Sequence, residues 1–92
     1  MYAIVDIETT GGHASGNGIT EIAIYIFDGE KLLDHFHSLI NPFQKIPVYI
    51  TALTGINDAM VAVAPGFEEV AGKVFHLLSK KVFVAHNVNF DY

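Results

Sequence analysis

Two carboxylates, Asp6 and Glu8, close an N-terminal stretch, Tyr2 to Glu8, whose other residues are apolar or aromatic. Its β-branched and aromatic content predicts a strand. Successive strand side chains point to opposite faces, so Ala3, Val5 and Ile7 make one apolar face while Asp6 and Glu8 share the other. Carboxylates forced together repel, and at neutral pH they favour a shared proton or a bound cation. Alone, an Asp-x-Glu pair also fits a solvated strand face. Here Gly11, Gly12, Gly16, Asn17 and Gly18 follow at once, so the pair sits where a strand opens into a flexible loop. The first strand therefore has one face for a core and one for a cleft.

The rest of the chain alternates in the same legible way. Ile19 to Phe27 predicts a second strand, closed by Asp28-Gly29, and Lys31 to Ile40 a third that ends before Asn41-Pro42. Two strands joined across Asp-Gly suggest an antiparallel hairpin. Tyr49 to Leu53 reads as a short helix with Gly55 near its C-terminus, and Asn57 caps a further turn through Val61. Phe67, Val70, Ala71, Val74 and Leu78 recur at helical spacing after Pro65. Lys80 and Lys81 fall near the end of that helix, where cations suit the dipole. Val82 to Ala85 fits a buried strand, and His86 to Tyr92 leaves it. The order of three strands, irregular turns, a helix and a strand predicts an α/β arrangement.

Composition adds a tension. In 92 residues, 51% are hydrophobic and only 16% charged. A chain this short buries a modest share of its surface, so the apolar surplus predicts a partner chain or further cover. The formal net charge is −5 and every basic residue is a lysine. That argues against nucleic acid, whose binders carry a basic footprint, unless bound divalent ions reverse the local sign. Cysteine is absent, which excludes disulfides and thiolate zinc sites. No basic segment followed by an apolar stretch marks a signal peptide, and no apolar run reaches membrane-spanning length. The expectation is a cytoplasmic protein.

Oxygen-only ligands suit Mg2+ or Mn2+ rather than zinc. Pairs of such ions clamp the attacking and leaving oxygens of phosphoryl transfer. His35 and His37 alternate on the third strand, but without a third ligand a half-exposed strand explains them better than zinc does. His13 lies in the glycine loop with no specific role, and Phe90 reads as core.

Asp6-Ile7-Glu8-Thr9-Thr10-Gly11 resembles the first motif of the DEDD 3′–5′ exonucleases, the DnaQ-like group that includes the proofreading subunit of bacterial replicative polymerase. Glu21-Ile22-Ala23 is similar to that family's second strand, Asn41-Pro42 to the turn after its third, and Leu53-Thr54-Gly55-Ile56 to a segment that usually reads His-Gly-Ile. Pro65-x-Phe67-x-x-Val70 resembles the start of its first long helix, and His86-Asn87-x-x-Phe90-Asp91 its second acidic motif. The likeness spans essentially the whole chain in the family's order.

The resemblance implies a ribonuclease H-like fold, a mixed sheet with flanking helices, of which residues 1–92 are the N-terminal portion of a single exonuclease domain ending after the fourth strand. It implies two Mg2+ or Mn2+ ions held by Asp6, Glu8 and Asp91 as catalytic and metal-binding residues. Thr9, Thr10 and Leu53 become contacts to the 3′-terminal nucleotide; Thr54 stands where the family often has histidine. The substrate would be a single-stranded nucleic-acid 3′ end, DNA ahead of RNA, with a polymerase as a further partner. The family does not use His86 as its base, and Asn87 reads as a turn residue. Its general-base histidine and fourth acidic ligand come from a third motif, expected beyond Tyr92. The 92 residues alone are then expected to be catalytically incomplete and, with their apolar surplus, to form a homo-oligomer. Two alternatives remain: a non-catalytic interaction module on the same fold, and another ribonuclease H-like metal nuclease.

Overall fold

The computed structural model describes residues 1–11 and 18–86, with Ala85 and His86 described by their backbone alone. Its elements are β1 (Tyr2–Thr9), β2 (Ile19–Phe27), β3 (Leu32–Leu39), α1 (Val48–Thr54), α2 (Asp58–Ala62), α3 (Phe67–Leu78) and β4 (Val82–His86). The strands form one sheet in the order β3-β2-β1-β4. β1 runs antiparallel to β2, β2 antiparallel to β3, and β1 parallel to β4. A parallel pair needs a long crossover, and the segment from Ile40 to Lys81, which contains all three helices, supplies it.

The β2–β3 hairpin forms as its Asp-Gly signal predicts, but over a longer turn. The Asp28 N–H donates to the Lys31 carbonyl at 3.2 Å, and the Asp28 carboxylate accepts the Glu30 and Lys31 N–H groups at 2.9 Å each. Lys31 is thereby spent in the turn, so the third strand begins at Leu32.

α3 takes the full range that its periodicity predicts. Its N-terminus is closed by Glu69, whose carboxylate accepts the Gly66 N–H at 2.7 Å. Val74 and Leu77 from the buried side of α3 pack on Ala3, Val5, Ile22, Ile24 and Ile26. These β1 and β2 residues are register partners, Ala3 with Ile26, Val5 with Ile24 and Ile7 with Ile22, so they share one face. Burying each such aliphatic side chain stabilises by roughly 1.5–3 kcal/mol, and this face is the main core.

A second cluster, Ile46, Ile50, Ile56 and Val61, packs against Leu39. It holds the two short helices. α1 stops at Gly55, whose φ of 79° is the left-handed cap that glycine adopts without strain. α2 starts at Asn57, whose side chain accepts the Met60 N–H at 2.9 Å. Leu39 stands across from Glu21, so this small cluster rests on the sheet face opposite α3.

The apolar surplus is visible at the sheet edge. Val82, Phe83 and Val84 of β4 are 56%, 56% and 43% exposed, and Phe75 on α3 is 76% exposed.

Candidate metal centre

Register places the polar residues. Asp6 pairs with Ala23 and Glu8 with Glu21 across β1–β2, while Ala23 pairs with His37 and Tyr25 with His35 across β2–β3. Directly opposed residues share a face, so Asp6, Glu8, Glu21, His35 and His37 all lie on the face away from α3. On the other side of β1, Asp6 lies beside His86 of β4. The two carboxylates of β1 therefore sit at the C-terminal end of an inner strand, flanked by the start of β2 and the end of β4.

A bulge sharpens that position. The β1–β2 register shifts between Glu8 and Thr9, leaving Thr20 as the extra residue on β2. Bulges of this kind bend a strand and re-aim its neighbours. Thr20 is 1% exposed and its hydroxyl has no hydrogen-bond partner; its carbonyl accepts the Ile40 N–H at 2.8 Å.

Electrostatics mark Glu8. Its Oε1 is buried with no hydrogen-bond partner. Burial, then the Asp6 carboxylate, then the Glu21 carboxylate push its carboxyl above the ordinary value of 4.5. An orphaned acceptor in an excess of negative charge costs free energy, and a hard divalent cation relieves both defects at once. The residues present thus fit such an ion. Among the described residues no three His, Cys, Asp or Glu side chains form a complete cage; the third expected ligand, Asp91, lies outside the described residues, as do His13, Asn87 and Phe90.

His35 and His37 share a face as their alternation predicts, but not as a metal pair. The His37 Nε2 contacts the Glu21 carboxylate instead. Neither Glu21 nor this pairing is foreseeable from the chain, because the two residues meet only once the hairpin register is known.

Thr9 and Thr10 are both 4% exposed, and their hydroxyls shape the base of the loop. Thr9 Oγ1 donates to the Gly11 carbonyl at 2.9 Å, and Thr10 Oγ1 donates to Gln44 Oε1 at 3.2 Å and accepts the Gly18 N–H at 3.1 Å. The Thr10 N–H donates to the Gly18 carbonyl at 2.9 Å, so the chain leaves and re-enters the site at one point. Gln44 is a partner that the sequence does not announce. Leu53 sits on α1 with 69% of its surface exposed. Thr54, in the place of the family's histidine, donates to the Ile50 carbonyl at 2.9 Å and accepts the Ile56 N–H at 3.1 Å. A cavity of about 470 Å3 opens at the same end of the sheet, between Gly18, Ile19, Pro42, Phe43 and Phe67; neither Asp6 nor Glu8 lines it.

Comparison with known proteins matches this arrangement. The chain is 43% identical over 90 residues to the 3′-5′ exonuclease DinG of Staphylococcus haemolyticus and 41% identical over 90 to that of Staphylococcus epidermidis. Each match covers 98% of this chain but 10% of the relative. Among solved structures, exonuclease X in complex with 5′ overhanging duplex DNA superposes with a TM-score of 0.76 at 34% identity, over 94% of this chain and 48% of that one. Exonuclease I shares the fold at 15% identity, with a TM-score of 0.78 over 94% of this chain and 20% of that one. The sheet and helices are thus those of the ribonuclease H-like exonucleases. The profile of the RNase_T family, described as Exonuclease, matches residues 3–92, and the chain belongs to this DEDD-type exonuclease family.

Proposed function

We propose that the chain supplies the first acidic residues of a metal-dependent 3′–5′ exonuclease centre that removes nucleotides from nucleic-acid 3′ ends. The observation that carries this reading is Glu8 beside Asp6 on one strand face, with a buried and unpartnered Oε1. Asp6, Glu8 and Asp91 would hold Mg2+ or Mn2+, which when bound lowers the cost of activating water and of releasing the 3′ oxygen. The chain's own part is to hold carboxylates ready: β1 fixes Asp6 and Glu8 about 6.7 Å apart along the strand, and the threonine-clamped loop base keeps the strand end in place.

The substrate proposed is a single-stranded 3′ end, DNA ahead of RNA. The name of the DinG relatives supports the 3′-5′ direction, and the complex of exonuclease X with 5′ overhanging duplex DNA supports DNA. Residues 1–92 then make the N-terminal portion of one exonuclease domain. In the family that the motifs resemble, the general-base histidine and fourth acid belong to a third motif. Thr9 and Thr10 would border the terminal nucleotide at the end of β1, and Leu53 would meet it through its exposed side chain. A cytoplasmic protein working with a polymerase, and self-association of the 92-residue chain through its open apolar edge, complete the reading.

The test is direct. Asp6→Ala or Glu8→Ala in the full-length protein abolishes Mg2+-dependent release of nucleotides from labelled 3′ ends; wild-type rates in either variant would sink the assignment. The net charge of −5 favours a second reading, a non-catalytic interaction module. Calorimetric Mn2+ binding that is lost with Asp6 excludes it.

A further inference from the structure

Glu21 presents a puzzle that a purely structural role does not solve. It stands directly across from Glu8, and like charges directly opposed across a ladder destabilise a sheet. A lysine or threonine at that position would stabilise it. The carboxylate is also held: His37 contacts it from β3, with the imidazole side chain 52% exposed and the carboxylate side chain 31% exposed. An ion pair this open to solvent adds little stability by itself. The bulge at Thr20 immediately precedes Glu21 on β2, and Leu39 with its helical cluster stands on the other side of it. The β1–β2 register sets Glu21 against Glu8, and His37 of β3 holds its carboxylate.

We infer that Glu21 is an outer carboxylate of the metal centre: tethered by His37, it faces Glu8 and strengthens the pull of Asp6 and Glu8 on a divalent ion without touching the ion. It is a positioning residue. Asp6, Glu8 and Glu21 do not form a three-ligand cage, so its action runs through Glu8 and through the local field. Removing one carboxylate charge that near a divalent ion lowers its affinity on the order of tenfold at the effective dielectric of a partly exposed site. The stability cost of the Glu8–Glu21 opposition is then the counterpart of cation affinity, as at sites where function overrides a local rule.

The inference rests on the exonuclease reading of Asp6 and Glu8, and its test keeps the two apart. Mn2+ is titrated calorimetrically into full-length wild type, Glu21→Gln and Glu30→Gln, and each protein is also melted in EDTA. Glu30 lies in the exposed β2–β3 turn and controls for net charge. Glu21→Gln is expected to weaken Mn2+ binding by about tenfold while raising the metal-free melting temperature; Glu30→Gln leaves the affinity unchanged. Undiminished affinity in Glu21→Gln overturns the inference but spares the exonuclease reading. So does an equal loss in Glu30→Gln, or a melting temperature that falls together with affinity. Absence of Mn2+ binding by wild type takes down both.

Discussion

Glu8 and Glu21 face each other across the β1–β2 ladder, and Glu8 also shares its strand face with Asp6. The crowding raises the Glu8 carboxyl above 4.5 through burial, Asp6 and Glu21, in that order. A carboxyl raised in the folded state binds its proton more tightly folded than unfolded. Its ionisation therefore removes stability as pH rises from the unfolded value through the folded one. The metal-free protein is expected to be more stable at mildly acidic pH than at neutral pH on account of Glu8. Glu8→Gln should stabilise it at pH 7. That gain should vanish once the pH falls below the ordinary value of 4.5. Thermal melts of both proteins in EDTA across this range check the sign.

Divalent ions should reverse the penalty. A ligand that binds only the folded state stabilises it by about 2.7 kcal/mol at a hundred times its Kd. Mn2+ is expected to raise the melting temperature of the full-length protein, and Asp6→Asn to abolish the shift. A shift that survives Asp6→Asn would locate the ion elsewhere.

Two glycines should respond unequally to the same substitution. A Cβ on Gly18 would lie 2.5 Å from the Cβ of Pro42 and 3.0 Å from its Cα, whereas one on Gly66 would meet the ring of Phe43 at 2.6 Å. Proline cannot yield, while the Phe43 ring is 78% exposed and can swing away. Gly18→Ala should cost about 1–3 kcal/mol and loosen the base of the loop beside Asp6. Gly66→Ala should cost less, about 0.5–1 kcal/mol, because Gly66 is the N-cap of α3 and alanine caps poorly. Urea unfolding midpoints separate the two.

Ile24 is fully buried between β1 and α3. Ile24→Ala should cost about 2–5 kcal/mol, a large part of what a domain this small possesses. A cooperative unfolding transition at 25 °C should be weakened or lost; an unchanged urea midpoint would contradict the packing described.

The strands and α3 were legible because each carries its own local pattern. Tyr2 to Glu8 is rich in β-branched and aromatic residues, Phe67 to Leu78 repeats at helical spacing, and both elements form where those patterns run. The carboxylate pair was legible for the same reason, since a shared strand face is a property of spacing alone. What lies between elements was not. Thr20 looks like any strand residue, yet it is the bulge, because bulging depends on how β2 meets β1. Glu21 and His37 are sixteen positions apart and meet through the hairpin register. The Asp28 turn took one residue more than its Asp-Gly signal suggested, because the Asp28 side chain binds two backbone N–H groups instead of one. Gln44 reaches Thr10 from an irregular segment that has no period at all.

The parallel pairing of β1 and β4 sets Asp6 level with His86, and neighbouring strands lie about 4.8 Å apart. The parallel register thus brings the ends of β1 and β4, eighty positions apart in the chain, to one end of the sheet, so a long-range pairing and not local sequence decides which backbone stands beside the acidic pair.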